Sequence, residues 1–121
     1  MKERLQLLQE AAVISAESAN RCHKISELIE TRLKVDTENE QFQMLIIHLA
    51  RAFDRINDGV PIDHGMDDEM FAEIMMDPIF PQVDILNREI IRVMNVVVPK
   101  AENSFFLSNI LSLYYSVSEE A

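Results

Sequence analysis

Three side chains in the stretch LIIHLARAFDRIND, residues 45–58, have types and spacing that could do chemistry. His48 stands one helical turn before Arg51 and two before Arg55, so on a helix all three share one stripe. A neutral imidazole is a nucleophile near neutral pH. Neighbouring guanidinium groups disfavour its protonated form and can hold an incoming anion by charge-assisted hydrogen bonds. The chemistry this points to is acceptance of a phosphoryl group on His48, with Arg55 and Arg51 supporting the phosphate. The plain alternative is a helix-face histidine beside two solvated arginines, and spacing alone does not choose between them.

Other candidates are weaker. His64 follows Asp63 in a loop and could approach His48 in the fold, as a second ligand or phosphoacceptor. His23 sits in the polar stretch SANRCHKI and reads as an ordinary exposed side chain. The three histidines form no Glu-x-x-His or His-x₃-His pair, so no metal site is expected, and no cofactor either. Cys22 has basic neighbours in Arg21, His23 and Lys24 that would lower a thiol pKa, but no base or oxyanion hole accompanies it. With no pair of groups suited to turnover, the chain is not read as an enzyme.

The elements that must position these residues are helices. On a wheel, Phe42, Leu45, Ile46, Leu49, Ala52, Phe53 and Ile56 fall within an arc of roughly 120°, a usual core-facing width. His48 lies at one edge of that arc. Two glycines and four prolines in 121 residues leave little turn chemistry for many short strands. Apolar periodicity and Gly/Pro punctuation predict helices near residues 16–34, 37–57, 78–97 and 100–117, with a shorter one near 66–76. A further helical stretch over residues 2–12 breaks at Val13-Ile14-Ser15, where Ser15 can cap the next helix. Asp36 or Thr37 is the expected cap of the helix carrying His48. Gly59 and Pro61 end that helix, and Asp77 with Pro78 starts the next long one.

Composition narrows the class. Hydrophobic residues make up 48% of the chain, too many for a disordered acidic segment. A net charge of -10, from 21 acidic and 11 basic residues, repels phosphate backbones and argues against direct nucleic-acid binding. A single cysteine fits a reducing compartment. The amino-terminal MKERLQLLQE is no signal peptide, and the longest apolar runs fall far short of a membrane span. The expectation is one soluble, cytoplasmic domain over residues 1–121. Its abundant Met, Ile and Phe leave apolar surface that would favour a homodimer.

Two segments, IIHLARAFDRINDGVPI and FPQVDILNREIIRVMNVVVPKAENSFFLSNI, resemble the PRD family, the phosphotransferase-system regulation domains. His48, Leu49, Ala52 and Arg55 match its H-L-x-x-A-x-x-R pattern. Val98, Glu102 and Phe105 match a short motif at the start of its last helix. The resemblance covers about residues 24–115 and implies an all-α fold, a compact five-helix bundle of antiparallel helix pairs that dimerises. It also implies a phosphoacceptor His48 supported by Arg55 and Arg51. The donor would be the histidine phosphocarrier protein or a sugar-specific enzyme II component. Through dimer or partner contacts, phosphorylation would then affect transcription or carbohydrate metabolism. Asn109 stands where family members often carry a second acceptor histidine, and Asp63-His64-Gly65 replaces the usual Asn-Pro segment. No RNA-binding or helix-turn-helix domain is attached, so direct antitermination or DNA binding by this chain alone is not expected. The competing reading is a structural or adaptor helical dimer whose histidine is never modified. On the first reading, Arg55 matters through the phosphate more than through the fold.

Overall fold

The computed structural model describes residues 1–120. These form six α-helices: α1 (Lys2–Glu10), α2 (Ala16–Leu33), α3 (Glu40–Asn57), α4 (Asp68–Met76), α5 (Phe80–Met94) and α6 (Lys100–Glu120). The described residues contain no strand. The fold class is therefore all-α, as expected, but the bundle has six helices and not five. The additional one is α1. It earns its place by burying Leu5 fully, and Arg4 donates to the side-chain oxygen of Gln43 on α3 at 2.8 Å.

Four of the six helices supply most of the core. α2 contributes Cys22, Ile25 and Ile29, and α3 contributes Phe42, Leu45, Ile46, Leu49 and Phe53. Val83, Leu86, Ile90 and Met94 come from α5, with Phe106, Leu107, Ile110 and Leu113 from α6. Each set recurs at three- and four-residue intervals, so each helix turns one stripe inward. α3 packs on α2 and on α6, and α5 packs on α6. Two sets of pairings show that α3 runs antiparallel to both neighbours. Ser15 and Ser18 of the α2 start bond to Asp54 and to the carbonyl of Ala50. Arg55 and His48 meet Glu102 and Asn109 of α6 in reverse order.

The ends follow local chemistry. Ser15 caps α2 as expected, its hydroxyl accepting from the Ser18 N–H at 3.0 Å. α3 is capped by Asn39, not by Asp36 or Thr37: the Asn39 side-chain oxygen accepts from the Phe42 N–H at 3.0 Å. Asp36 instead accepts from the Glu38 N–H and closes a turn before the helix. Asn39 wins because its amide nitrogen also donates to Ser116 and Glu120 near the end of α6. At the other end of α3, Gly59 adopts φ +76°, and the N–H groups of Gly59 and Val60 return to the carbonyls of Ile56 and Arg55. That left-handed position favours glycine because an added Cβ would be strained. α5 starts two residues later than expected. Asp77 accepts from the Ile79 N–H to close a turn, and Pro81, not Pro78, lies in the first helical turn.

Cys22 is completely buried. Burial pushes its thiol up to about 12, the carboxylate of Asp54 adds to the rise, and a hydrogen bond with Ser18 partly offsets it. The basic sequence neighbours therefore do not activate it. Native protein at pH 8 is expected to resist iodoacetamide, and denaturant should restore stoichiometric alkylation within minutes. Rapid alkylation of folded protein, read by intact mass, would contradict this.

Among the described residues no helix is long and apolar enough to cross a membrane.

Candidate functional site

The amphipathic pattern of α3 determines what faces α6. Ala52 and Phe53 go inward, and the stripe at the border of that face, His48 and Arg55, meets α6 where it carries Glu102 and Asn109. Between the two helices lies a cleft of about 220 Å³, lined by His48, Ala52, Arg55, Glu102, Asn109 and Phe105, among others.

Glu102 is the unusual member. A carboxylate with 1% of its surface exposed is costly unless its oxygens are satisfied. Here they are. Arg55 donates from Nε to Oε2 at 3.0 Å and from Nη2 to Oε1 at 2.9 Å, a two-pronged ion pair. The backbone N–H of Ile62 donates to Oε2 at 3.2 Å. The hydrogen bond to Glu102 raises Arg55 above its ordinary range, against a smaller opposing effect of burial. Arg55 itself remains partly in solvent, and its Nη1 makes no hydrogen bond to a described residue. The guanidinium thus keeps one edge on Glu102 and has a second edge to offer an anion.

His48 is exposed, with its Nδ1 at 3.4 Å from Nδ2 of Asn109. An amide N–H can donate only to an unprotonated Nδ1, which places the ring proton on Nε2. A half-turn of the amide would present its carbonyl to an Nδ1–H and leave Nε2 as the nucleophile. The Asn109 amide can therefore pair with either neutral tautomer of the ring.

The loop after α3 closes one side of the cleft. Besides the Ile62 contact, the Met66 N–H donates to Oγ of Ser104 at 3.0 Å, and that hydroxyl donates to the Ala101 carbonyl at 2.7 Å. At Gly65 an added Cβ would lie 2.9 Å from the Ser104 hydroxyl and 3.1 Å from Cα of Ala101, so the loop approaches α6 as only glycine allows.

The structure brings together only part of the residues singled out in the sequence. His48 and Arg55 share the cleft. Arg51 is exposed and does not line it. His64 is almost wholly in solvent, 3.9 Å from Asp63, and does not line the cleft with His48. His23 lies elsewhere, on α2, with Nε2 3.6 Å from Glu27. Two partners escaped the sequence reading: Glu102 as the holder of Arg55, and the Ile62 N–H as its third donor. A glutamate in the first turn of a helix already has a local reason to be there, the helix dipole, so nothing local signals a long-range pair. Among the described residues no group of three or more His, Cys, Asp or Glu could hold a metal ion.

Comparison with known proteins gives a family match: the PRD domain model matches residues 23–113. An uncharacterised Escherichia coli protein, YhfY, is 28% identical over 120 residues, 99% of both chains. An uncharacterised Haemophilus influenzae protein is 31% identical over 80 residues, 66% of this chain and 63% of that one. No solved structure matches.

Proposed function

This chain belongs to the PRD domain family, and from that premise we propose that it is a regulatory module accepting a phosphoryl group on His48 from the sugar phosphotransferase system. The observation that carries the reading is the shared cleft. An exposed imidazole shares this cleft, two helical turns away, with an arginine that is already fixed by a buried carboxylate and has donors to spare. In the transfer, the phosphorus–nitrogen bond of a phosphohistidine donor breaks and a new one forms at the unprotonated ring nitrogen of His48. The donor ring leaves neutral, and His48 keeps its N–H on the other nitrogen. The histidine phosphocarrier protein or a sugar-specific enzyme II component would be the donor, which requires a cytoplasmic protein. The added dianion would change dimer or partner contacts and so affect transcription or carbohydrate metabolism. Arg55 is the supporting cation in this reading, while the position of Arg51 gives it at most a long-range electrostatic part.

The test is incubation with the phosphocarrier system and phosphoenolpyruvate, followed by a search for acid-labile, alkali-stable phosphate. Stoichiometric label is the expected result. The competing reading, an adaptor whose histidine is never modified, is favoured by one observation: Arg55 already holds its two-pronged pair with Glu102 without any phosphate. Absence of label with every donor of the system would select it.

We propose a homodimer under both readings. Exposed Met44, Leu7, Val13 and Tyr115 lie on surfaces that no other element covers. Sedimentation is expected to show twice the chain mass at micromolar concentration, and a monomer throughout that range would rule it out.

A further inference from the structure

Charge in this protein is unevenly placed. Residues 56–87 hold eight Asp and Glu side chains and no Lys or Arg, while the rest of the chain is close to neutral. That segment contains α4, a lightly anchored helix: only Ile74 is buried, and its partners are α6 and α5. Methionines fill its outer surface, with Met70 55%, Met75 48% and Met76 83% exposed. Two apolar grooves flank it. The larger, about 670 Å³, runs between α4 and the α6 start, with Met66, Phe71 and Met75 as its apolar walls. The smaller, about 300 Å³, has Met66, Met70 and Leu111. Asp63 and Asp68 edge the first and Glu73 and Asp77 the second, against a single cation, Lys100.

We propose that α4 and its two grooves are a docking surface for a cationic amphipathic helix of a partner protein. The grooves take bulky apolar side chains, and unbranched methionines adapt to their shapes at little cost. The acidic rim supplies the sign: it attracts Lys and Arg on the polar flanks of the incoming helix. The same rim disfavours other occupants. A second copy would set one acidic segment against another, and phosphate backbones or anionic lipid surfaces would be repelled. The surface does not depend on phosphorylation of His48.

Methionine placement supplies the assay. Four of the seven methionines, Met66, Met70, Met75 and Met76, belong to this surface, while Met1, Met44 and Met94 lie outside it. The full chain, labelled at the methionine methyl carbons with 13C, is titrated with a synthetic helical peptide bearing leucine on one face and lysine on the other. The expected result is saturable shifts of the four α4-region methyls and none at Met1, Met44 or Met94. Affinity should fall several-fold between low and physiological salt. The exposed double substitution Asp68→Lys with Glu73→Lys should weaken binding on the order of tenfold, with an unchanged circular dichroism spectrum. Four results would overturn the proposal. These are no saturable shift, equal shifts at Met1 and Met44, or equal binding of a peptide with glutamate for lysine or serine for leucine. The fourth is concentration-dependent shifts of the same four methyls without peptide, which would make the occupant a second copy.

Discussion

Replacing Arg55 by alanine is expected to destabilise the protein by about 3 kcal/mol, the lower end of what removing one partner of a buried ion pair costs. The lower end applies because Arg55 is itself partly solvated, whereas Glu102 is not. What remains after the substitution is a carboxylate with 1% exposure and only the Ile62 N–H as donor. For a chain of this size the loss corresponds to a fall in Tm of roughly 10 °C. Glu102→Ala should cost less, since the arginine it strands can turn into water. The reverse order, measured by thermal or urea unfolding, would show that the carboxylate is not the more dependent partner. Such a loss would set a structural contribution of Arg55 beside the phosphate contact expected of it from the sequence. Its gain from a charge-assisted contact with phosphate is about 1.5–3 kcal/mol, no larger than its structural contribution. Arg55→Lys would keep the charge and lose the two-pronged geometry, so it separates the two roles.

His48→Ala is expected to abolish labelling by the phosphocarrier system altogether while moving Tm by no more than a degree or two. The ring is exposed, and its one polar contact among the described residues is the long one to Asn109. Surface side chains with such contacts change stability by about 0.5 kcal/mol at most. Asn109→His would place a second imidazole directly against the first and should raise the label above one phosphate per chain. Label that persists in His48→Ala, mapped by mass spectrometry to His23 or His64, would overturn the assignment of the acceptor.

Legibility differed from element to element for physical reasons. α3 was readable because seven apolar residues at helical spacing mark one face, and the border of that face is where His48 and Arg55 lie. Its starting residue was not, since Asp36, Thr37 and Asn39 are all competent caps and contacts with Ser116 and Glu120 decide among them. α1 carries too few apolar residues to count as part of a bundle until Leu5 is seen in the core. The cleft was half visible. Its α3 side is a local pattern, but its α6 side depends on a residue 47 positions away in the chain. The suggested approach of His64 to His48 rested on a loop whose path no local pattern determines. That path is set by Ile62 and Met66, whose N–H groups bond to α6 and leave His64 in solvent.

The Asn39 cap has a mechanical consequence. It ties the start of α3 to the end of α6, and Arg55 with Glu102 ties the opposite ends. The two fastenings are about 24 Å apart along α3, at the rise of an α-helix. The pair of helices is a beam pinned at both supports, so neither can slide along the other. His48 and Asn109 face each other close to mid-span. Between the supports the pair is also held by core side chains, Leu45, Leu49 and Phe53 of α3 with Phe106 and Ile110 of α6. A small group added at His48 would therefore press on α6 from the rim of a clamped face, with no sliding to relieve it.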